Sequence, residues 1–331
     1  MTESVSAAEC LKVMEQIRAA LYWIRNKTPH SAAVSCMSAL RVPRIPAGSS
    51  PFRIRLTYWW RHGRMPRLQA PKLFTEWVQH RKLYDRDRRL PTLADKVLVK
   101  DFVAELLGAR WVTPTLWRGR QLPVSPAWDF PFVVKSRHGC GHIAIVKNDA
   151  DYARARRESE RWMRSSYGTW LDEWLYAQIT RGLLVEPLIG DGTDLPIDYK
   201  VFVFGGRASF VQVHLGRGKG AHRWIVFDRE WKRVSPGSAE TDPLPPTSLG
   251  AMLRASEQLG DGFSFVRADF YDVAGKPRFG ELTLLSWQSF GACRTSSLGR
   301  ADGGALERRN LVAARADYRT CGLAQSNEIG R

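Results

Sequence analysis

The sequence predicts an α+β fold, and three observations carry that expectation. The C-terminal two thirds hold short alternating apolar runs punctuated by glycine turns, the pattern of antiparallel strands. The first hundred residues instead place apolar residues at helical spacing. The composition, 331 residues with 44% hydrophobic and 25% charged, provides a sizeable core and argues against wholesale disorder or a disulfide-stapled architecture. No internal repeat is visible.

Taken in order, Leu11, Met14, Ile17, Leu21 and Ile24 predict an amphipathic helix packed on its own domain. Residues 26–56, rich in Ser, Ala, Pro and Arg, read as an irregular linker. LTYWWRHGRM (56–65) mixes aromatic and basic residues, and LFTEWVQHRKL (73–83) reads as a helix. Asp95 is placed to cap a helix that runs to about Leu107 and ends at Gly108. WVTPTLW (111–117) reads as a short strand and turn. DFPFVVKSRHGCGHIAIV (129–146) reads as two strands around a glycine-containing loop, followed by a long helical stretch over 149–180. GLLVEPLI (182–189) is a buried strand, and DYKVFVFGGRASFVQVHLG (198–216) a hairpin turning at Gly205-Gly206. RWIVFD (223–228) adds a strand and 247–260 a helix. FVRADFYDVAGKPRFGELTLL (265–285) is a second hairpin, turning near Ala274-Gly275. After about Arg294 the pattern fades. These changes of texture divide the chain at 1–70, 71–128, 129–294 and 295–331.

The net charge is +17, which on its own suggests a polyanionic partner. The charge is uneven. Residues 1–100 carry 19 basic against 7 acidic residues, and the rest carry 31 against 26. Within 41–90 the count is 13 against 3, so the basicity belongs mainly to the N-terminal part. That segment suits an acidic polymer, an anionic membrane face or single-stranded nucleic acid. Five cysteines, Cys10, Cys36, Cys140, Cys293 and Cys321, form no CxxC pair, which fits a reducing cytoplasm rather than a disulfide framework or zinc site. Residues 1–25 do not read as a signal peptide, and no window has the apolar length of a membrane span.

Three constellations bear chemistry. In the last hairpin Arg267 and Asp269 share a strand face, and a turn near Gly275 returns Glu281 to about the level of Asp269. Two converging carboxylates invite a cation, and hard oxygen donors suit Mg²⁺; a solvated face of cross-strand charge pairs has the same spacing. The second is Lys135, ending an apolar strand before Ser136-Arg137-His138-Gly139-Cys140-Gly141-His142. A lysine followed by glycines can cradle phosphate, and a plain hairpin turn reads the same way. His138 and His142 stand four apart, but the glycines between them oppose the helix that a metal pair would need. The third is Leu184-Val185-Glu186-Pro187-Leu188, followed by Asp198-Tyr199-Lys200. A strand that loses its regular hydrogen bonds at a proline can offer backbone groups to an adenine edge, and a later carboxylate can bind ribose.

In this order the pieces resemble the ATP-grasp superfamily, and more closely its TupA-like branch, associated with teichuronopeptide and other cell-surface polysaccharide biosynthesis. The resemblance runs from about Pro71 to Gly291 and rests on five segments. They are PKLFTEWVQHRKLYDRD with LADKVLVKDFVAELLG, FVVKSRHGCG, LLVEPLI, DYKVFVFGGRASFVQV and FVRADFYDVAGKPRFGELTL. It implies an ATP-grasp domain at 129–294 behind a pre-ATP-grasp segment at 71–128. It implies that Lys100 and Lys135 reach the nucleotide phosphates and that His138, Gly139, Cys140 and Gly141 close over them. Glu186, Pro187 and Leu188 would meet adenine, Asp198 the ribose, and Lys200 phosphate. Asp269 and Glu281 would hold Mg²⁺, with Thr283 where many ATP-grasp enzymes have Asn. Arg267, with Lys135, would stabilise the transferring phosphoryl group.

The chemistry so implied is an ATP-dependent carboxylate–amine ligase acting through an acylphosphate on a glycan- or amino-acid-linked substrate. A kinase-like transfer on the same fold and a polyanion-binding module remain as alternatives. Because the basic surplus lies at 41–90, ahead of the ATP motifs, it reads as a docking surface for acidic polymer or the inner membrane face rather than for nucleic acid. The expected location is cytoplasmic, peripheral to that membrane face.

Overall fold

The computed structural model describes residues 50–165, 167, 172–190, 195–216, 223–235 and 241–285. The helix expected at 11–24, the linker as far as residue 49 and the tail beyond 294 lie outside these residues. The chain divides into two compact units, Met1–Ser49 and Ser50–Arg331, and every described residue belongs to the second.

Helix α1 (Ser50–His62) begins inside the stretch the sequence assigns to a linker. Pro51 sits in its first turn, where a missing N–H costs nothing. Ile54 and Tyr58, one turn apart, are both 1% exposed and supply the buried face. Helix α2 (Phe74–Tyr84) follows as predicted. Its Glu76 reaches back to accept from the backbone N–H of Lys72 at 2.9 Å and Leu73 at 3.2 Å, satisfying donors that the helix start leaves open. A short α3 (Arg89–Ala94) leads into α4 (Leu98–Leu107). The Asp95 side chain accepts from the N–H groups of Val97 and Leu98, and Gly108 closes the helix at φ 97°, both as expected.

The strands form two antiparallel sheets. One contains β1 (Trp117–Gly119), β4 (Leu183–Pro187), β2 (Phe132–Ser136) and β3 (Ile143–Val146), in that spatial order. The other runs β7 (Arg223–Asp228), β6 (Arg207–Leu215), β5 (Asp198–Phe204), β8 (Phe265–Val273) and β9 (Lys276–Thr283). Both predicted hairpins are present, with Gly205-Gly206 and Ala274-Gly275 all at positive φ, as two-residue turns of matching twist require. Two expectations shift. The first strand lies at 117–119, because Ala109–Trp111 forms a 3₁₀ turn instead. Helix α5 (Asp149–Arg164) stops well short of residue 180. Ser165 is already extended, and a second 3₁₀ turn occupies Trp174–Gln178.

The main core lies on one face of the five-stranded sheet. Val201, Val203, Ala268, Phe270 and Leu282 meet Met252, Leu253 and Leu259 of α6 (Leu249–Leu259), with Leu90, Leu93, Val99 and Val103 from α3 and α4. On the smaller sheet Phe132, Val134, Val146 and Val185 pack with Tyr152 and Ala155 of α5. Phe74 and Val78 of α2 join Phe202, Phe204, Phe210 and Phe265 in a third cluster. Among the described residues no helix is long and apolar enough to cross a membrane.

Candidate active site

Cross-strand partners share a sheet face. Lys200 on β5 lies opposite Asp269 on β8, which lies opposite Glu281 on β9; Arg267 lies opposite Thr283. The five-stranded sheet thus turns Val201, Val203, Ala268, Phe270 and Phe279 to the main core and presents Asp198, Lys200, Arg267, Asp269, Glu281 and Thr283 on the other face. A β-bulge makes this possible. Phe270 pairs with Phe279 but Asp269 pairs with Glu281, leaving Gly280 as the extra residue. A Cβ at Gly280 would sit 3.0 Å from the Tyr271 ring and 3.3 Å from the Asp269 carbonyl, so glycine is the residue that fits.

Asp269 is 4% exposed and caged. Arg267 donates from Nε to Oδ1 at 2.6 Å and from Nη2 to Oδ2 at 2.7 Å, and Lys200 Nζ donates to Oδ2 at 2.5 Å. Lys200 also lies 2.8 Å from Asp198. Burial alone would raise the Asp269 carboxyl, but Arg267 and Lys200 outweigh it and hold it below the usual carboxylate range. Arg267, buried against the same carboxylate, stays charged.

The smaller sheet buries a second caged carboxylate. Glu186, 4% exposed on β4, meets Lys135 of β2 at 2.5 Å and Lys100 of α4. Lys100 is further held by the Thr113 carbonyl at 2.9 Å and the Thr115 hydroxyl at 2.8 Å. Burial opposes ionisation of Glu186, but Lys135 and then Lys100 keep its carboxyl low; burial lowers the Lys100 ammonium against the pull of Glu186. The structure therefore joins the two lysines read as phosphate ligands through the glutamate assigned to adenine. Pro187 pairs with Phe132 at the end of β4, and the Leu188 N–H donates to the Pro131 carbonyl at 3.4 Å.

The two sheets meet through a residue that the sequence reading passed over. Lys96, in the turn before α4, donates to the Gly139 carbonyl at 2.7 Å and lies 3.5 Å from Glu281. It places the 138–141 loop beside the carboxylate pair. Its neighbour Asp95, 2% exposed, receives the Arg137 Nε on both oxygens at 2.7 Å, which ties the same turn to the base of the loop. The signal was present in the sequence: Lys96 and Lys100 stand four apart behind the capping Asp95. Within the loop His138 is 2% exposed, its Nε2 near the Trp162 carbonyl at 3.1 Å and its Nδ1 receiving the Gly182 N–H at 3.4 Å. Burial lowers its pKa, and that of His142, which stacks on Trp162 with centroids 5.5 Å apart. The Gly139 position is tight, since a Cβ would stand 2.7 Å from the His142 ring, and Gly141 takes φ 75°. Cys140 is exposed as a residue, and burial pushes its thiol up.

The site thus gathers five cations, Lys96, Lys100, Lys135, Lys200 and Arg267, around four carboxylates, Asp198, Asp269, Glu186 and Glu281. That leaves one positive charge in surplus, and positive surplus favours an anionic ligand. Asp269 and Glu281 with the Thr283 hydroxyl form a hard-oxygen donor set that fits magnesium, which binds through one or two carboxylates and keeps water or phosphate as its other ligands. Among the described residues no group of three or more His, Cys, Asp or Glu stands together as a fuller metal cage.

No curated protein matches the sequence significantly. Among solved structures the chain is similar to D-alanine–D-alanine ligase from Helicobacter pylori, at 14% identity over 59% of this chain and 52% of that one, with a TM-score of 0.37. It is similar to the ATP complex of the Bacillus anthracis enzyme at 14% identity over 59% and 54%, TM-score 0.34. It is also similar to the ATP-grasp ligase PsnB bound to Mg, ADP and a variant of its minimal precursor, at 11% identity over 70% and 60%, TM-score 0.38. The chain spans about half the length of the first two. The family described as TupA-like ATPgrasp matches residues 76–294, two thirds of the sequence and all of the site described above. The chain belongs to the TupA-like ATP-grasp family.

Proposed function

We propose that the protein is an ATP-dependent carboxylate–amine ligase that works on a precursor of a cell-surface polysaccharide or glycopeptide. The observation that carries the reading is Lys96, whose ammonium touches both the Gly139 carbonyl and the Glu281 side of the carboxylate pair. A triphosphate lying there would have the glycine loop above it and the five-stranded sheet below. Lys96, Lys135 and Lys100 are the cations that would meet its phosphates, and Lys200 and Arg267 face the transferring group from the sheet. Asp269, Glu281 and Thr283 would hold magnesium, which when bound neutralises phosphate charge and orients the leaving group.

A substrate carboxylate oxygen attacks the γ-phosphorus of ATP, forming an acylphosphate as ADP leaves. An amine nitrogen attacks the acyl carbon, inorganic phosphate departs, and the amine loses a proton as the amide forms. Arg267 would stabilise both the phosphoryl group and the tetrahedral oxyanion, and no nucleophilic side chain is required. Location on the cytoplasmic face of the membrane, with residues 41–90 turned to an acidic polymer or anionic lipid, is part of the same reading. Vesicle and polymer binding by a chain lacking 1–66 tests that part. The test of the reaction is ADP release across a panel of uronic-acid glycans, amino acids and amines, with hydroxylamine present. Trapped hydroxamate supports the ligase. ADP release with a stable phosphorylated product instead identifies a kinase-like transfer. Tight MgATP binding that survives both Lys135→Ala and Asp269→Ala rejects the site.

A further inference from the structure

Three consecutive residues, Asp172, Glu173 and Trp174, are each gripped by a cationic side chain from the N-terminal helical region. Arg53 of α1 donates from Nε to Asp172 Oδ2 at 2.8 Å and pairs through Nη2 with Oδ1. Lys82 of α2 meets Glu173 at 3.5 Å. Arg86, just beyond α2, lies 4.9 Å from the centre of the Trp174 ring. The Lys82–Glu173 pair is dry, with side chains 2% and 6% exposed. Asp172 adopts φ 55°, the left-handed region that Asp tolerates better than most residues.

Past the grip the chain runs to the glycine loop. Leu175 and Ile179 enter the main core, and between them Tyr176 meets Tyr167 edge-on at 4.8 Å. The Tyr167 ring meets that of His142 edge-on at 6.2 Å, and burial, with Cys140 nearby, pushes its hydroxyl up. A line of contacts therefore leads from α1 and α2, through 172–176 and Tyr167, to His142 at the end of the loop. The chemistry of the grip argues for position over strength. A buried Lys–Glu pair gains little over a well-packed apolar pair because desolvation offsets its attraction, whereas its geometry is strict.

We propose that residues 172–176 form a strap through which the N-terminal helices set the resting position of the 138–141 loop, with Arg53 and Lys82 as positioning residues. The consequence for catalysis rests on the reading of that loop as the phosphate loop; the geometry does not. A strap shift moves Tyr167 against His142 and so repositions the loop that carries Cys140. It also assigns a role within the protein to basic residues of the 41–90 segment.

The experiment measures the rate of Cys140 alkylation by iodoacetamide, read by peptide mass spectrometry so that Cys10, Cys36, Cys293 and Cys321 do not contribute. ATP affinity and Tm are measured beside it. Arg53→Ala and Asp172→Asn are each expected to raise Cys140 alkylation at least fivefold and weaken ATP binding several-fold. The charge-swapped double variant Arg53→Asp with Asp172→Arg is expected to recover part of both. Tyr167→Leu removes the ring that meets His142 and leaves both ion pairs in place; it is expected to raise alkylation, so the test stands even if an ion-pair variant folds poorly. Alkylation that stays at the wild-type rate in Tyr167→Leu and in the folded ion-pair variants overturns the strap, whatever their Tm. Wild-type protein that fails to bind ATP overturns the phosphate-loop reading instead and leaves the alkylation result to decide the strap.

Discussion

In the five-stranded sheet Asp269 receives Arg267 from its own strand and Lys200 from the strand beside it. In the four-stranded sheet Glu186 receives Lys135 from a neighbouring strand but Lys100 from α4, outside the sheet. The two cages look alike, a carboxylate at 4% exposure between two cations, yet they are built for different behaviour. Every member of the first is fixed by strand register and cannot move without tearing a ladder. The second spans a sheet and a helix, so its distances change whenever α4 shifts against β2 and β4. The Asp269 cage is rigid. The Glu186 cage holds Lys100 and Lys135 on one anion, for which, under the proposed function, an incoming triphosphate would compete.

The largest effect is expected at Asp269. Asp269→Ala leaves Arg267 and Lys200 buried without a counter-charge, which costs about 3–5 kcal/mol by the behaviour of broken buried pairs. Urea denaturation measures it, and MgATP should no longer raise Tm. Glu186→Gln keeps the volume and a hydrogen-bond acceptor, and should cost about 1–3 kcal/mol. Here MgATP should restore stability, with a larger Tm rise than in wild type, because phosphate replaces the missing anion. Equal loss with no rescue in both variants would erase the distinction between the cages.

The pH response sharpens it next. Both carboxyls sit lower in the folded protein than when unfolded. Their stabilisation is therefore complete above the unfolded values of about 3.9 for Asp and 4.3 for Glu, and is lost as pH falls through the folded ones. Wild type should lose urea midpoint steeply below about pH 4, with Asp269→Asn flattening the curve more than Glu186→Gln. For His138 the sign also points to acid loss: its folded pKa is lowered by burial, so protonation below about pH 6.5 favours opening of the loop. Hydrogen exchange at Gly182, whose N–H donates to the ring, reads that opening. The smallest effect is Gly280→Ala, about 1 kcal/mol from crowding Tyr271 and the Asp269 carbonyl.

The contrast also explains what the sequence could disclose. The hairpin of Arg267, Asp269 and Glu281 was readable because its partners lie within 15 residues and a glycine turn sets their pairing. The glycine loop and both hairpin turns were readable for the same reason. The ion pairing of Glu186 is not legible locally, because nothing near it in sequence shows that Lys100, 86 positions earlier, arrives over it. Lys96 was missed beside Lys100 because spacing alone does not say which of two lysines in one turn faces the loop. The Lys82–Glu173 pair and the Arg53 grip join distant segments and leave no local pattern. Helix α1 was read as linker because Ser50 and Pro51 look like loop residues, although both suit a helix start.

The bulge at Gly280 makes β9 a strand with two phases. Toward the turn, Phe279 keeps step with the core; beyond the glycine, Glu281 and Thr283 keep step with the chemistry. A chain lacking residue 280 could still pair Phe270 with Phe279 and Asp269 with the following glutamate, now as a regular ladder without the added twist. Such a hairpin would be more orderly and aim its carboxylate differently. Stability and catalysis would then part company at one backbone atom group, and the deletion would show how much of this site is residue identity and how much is direction.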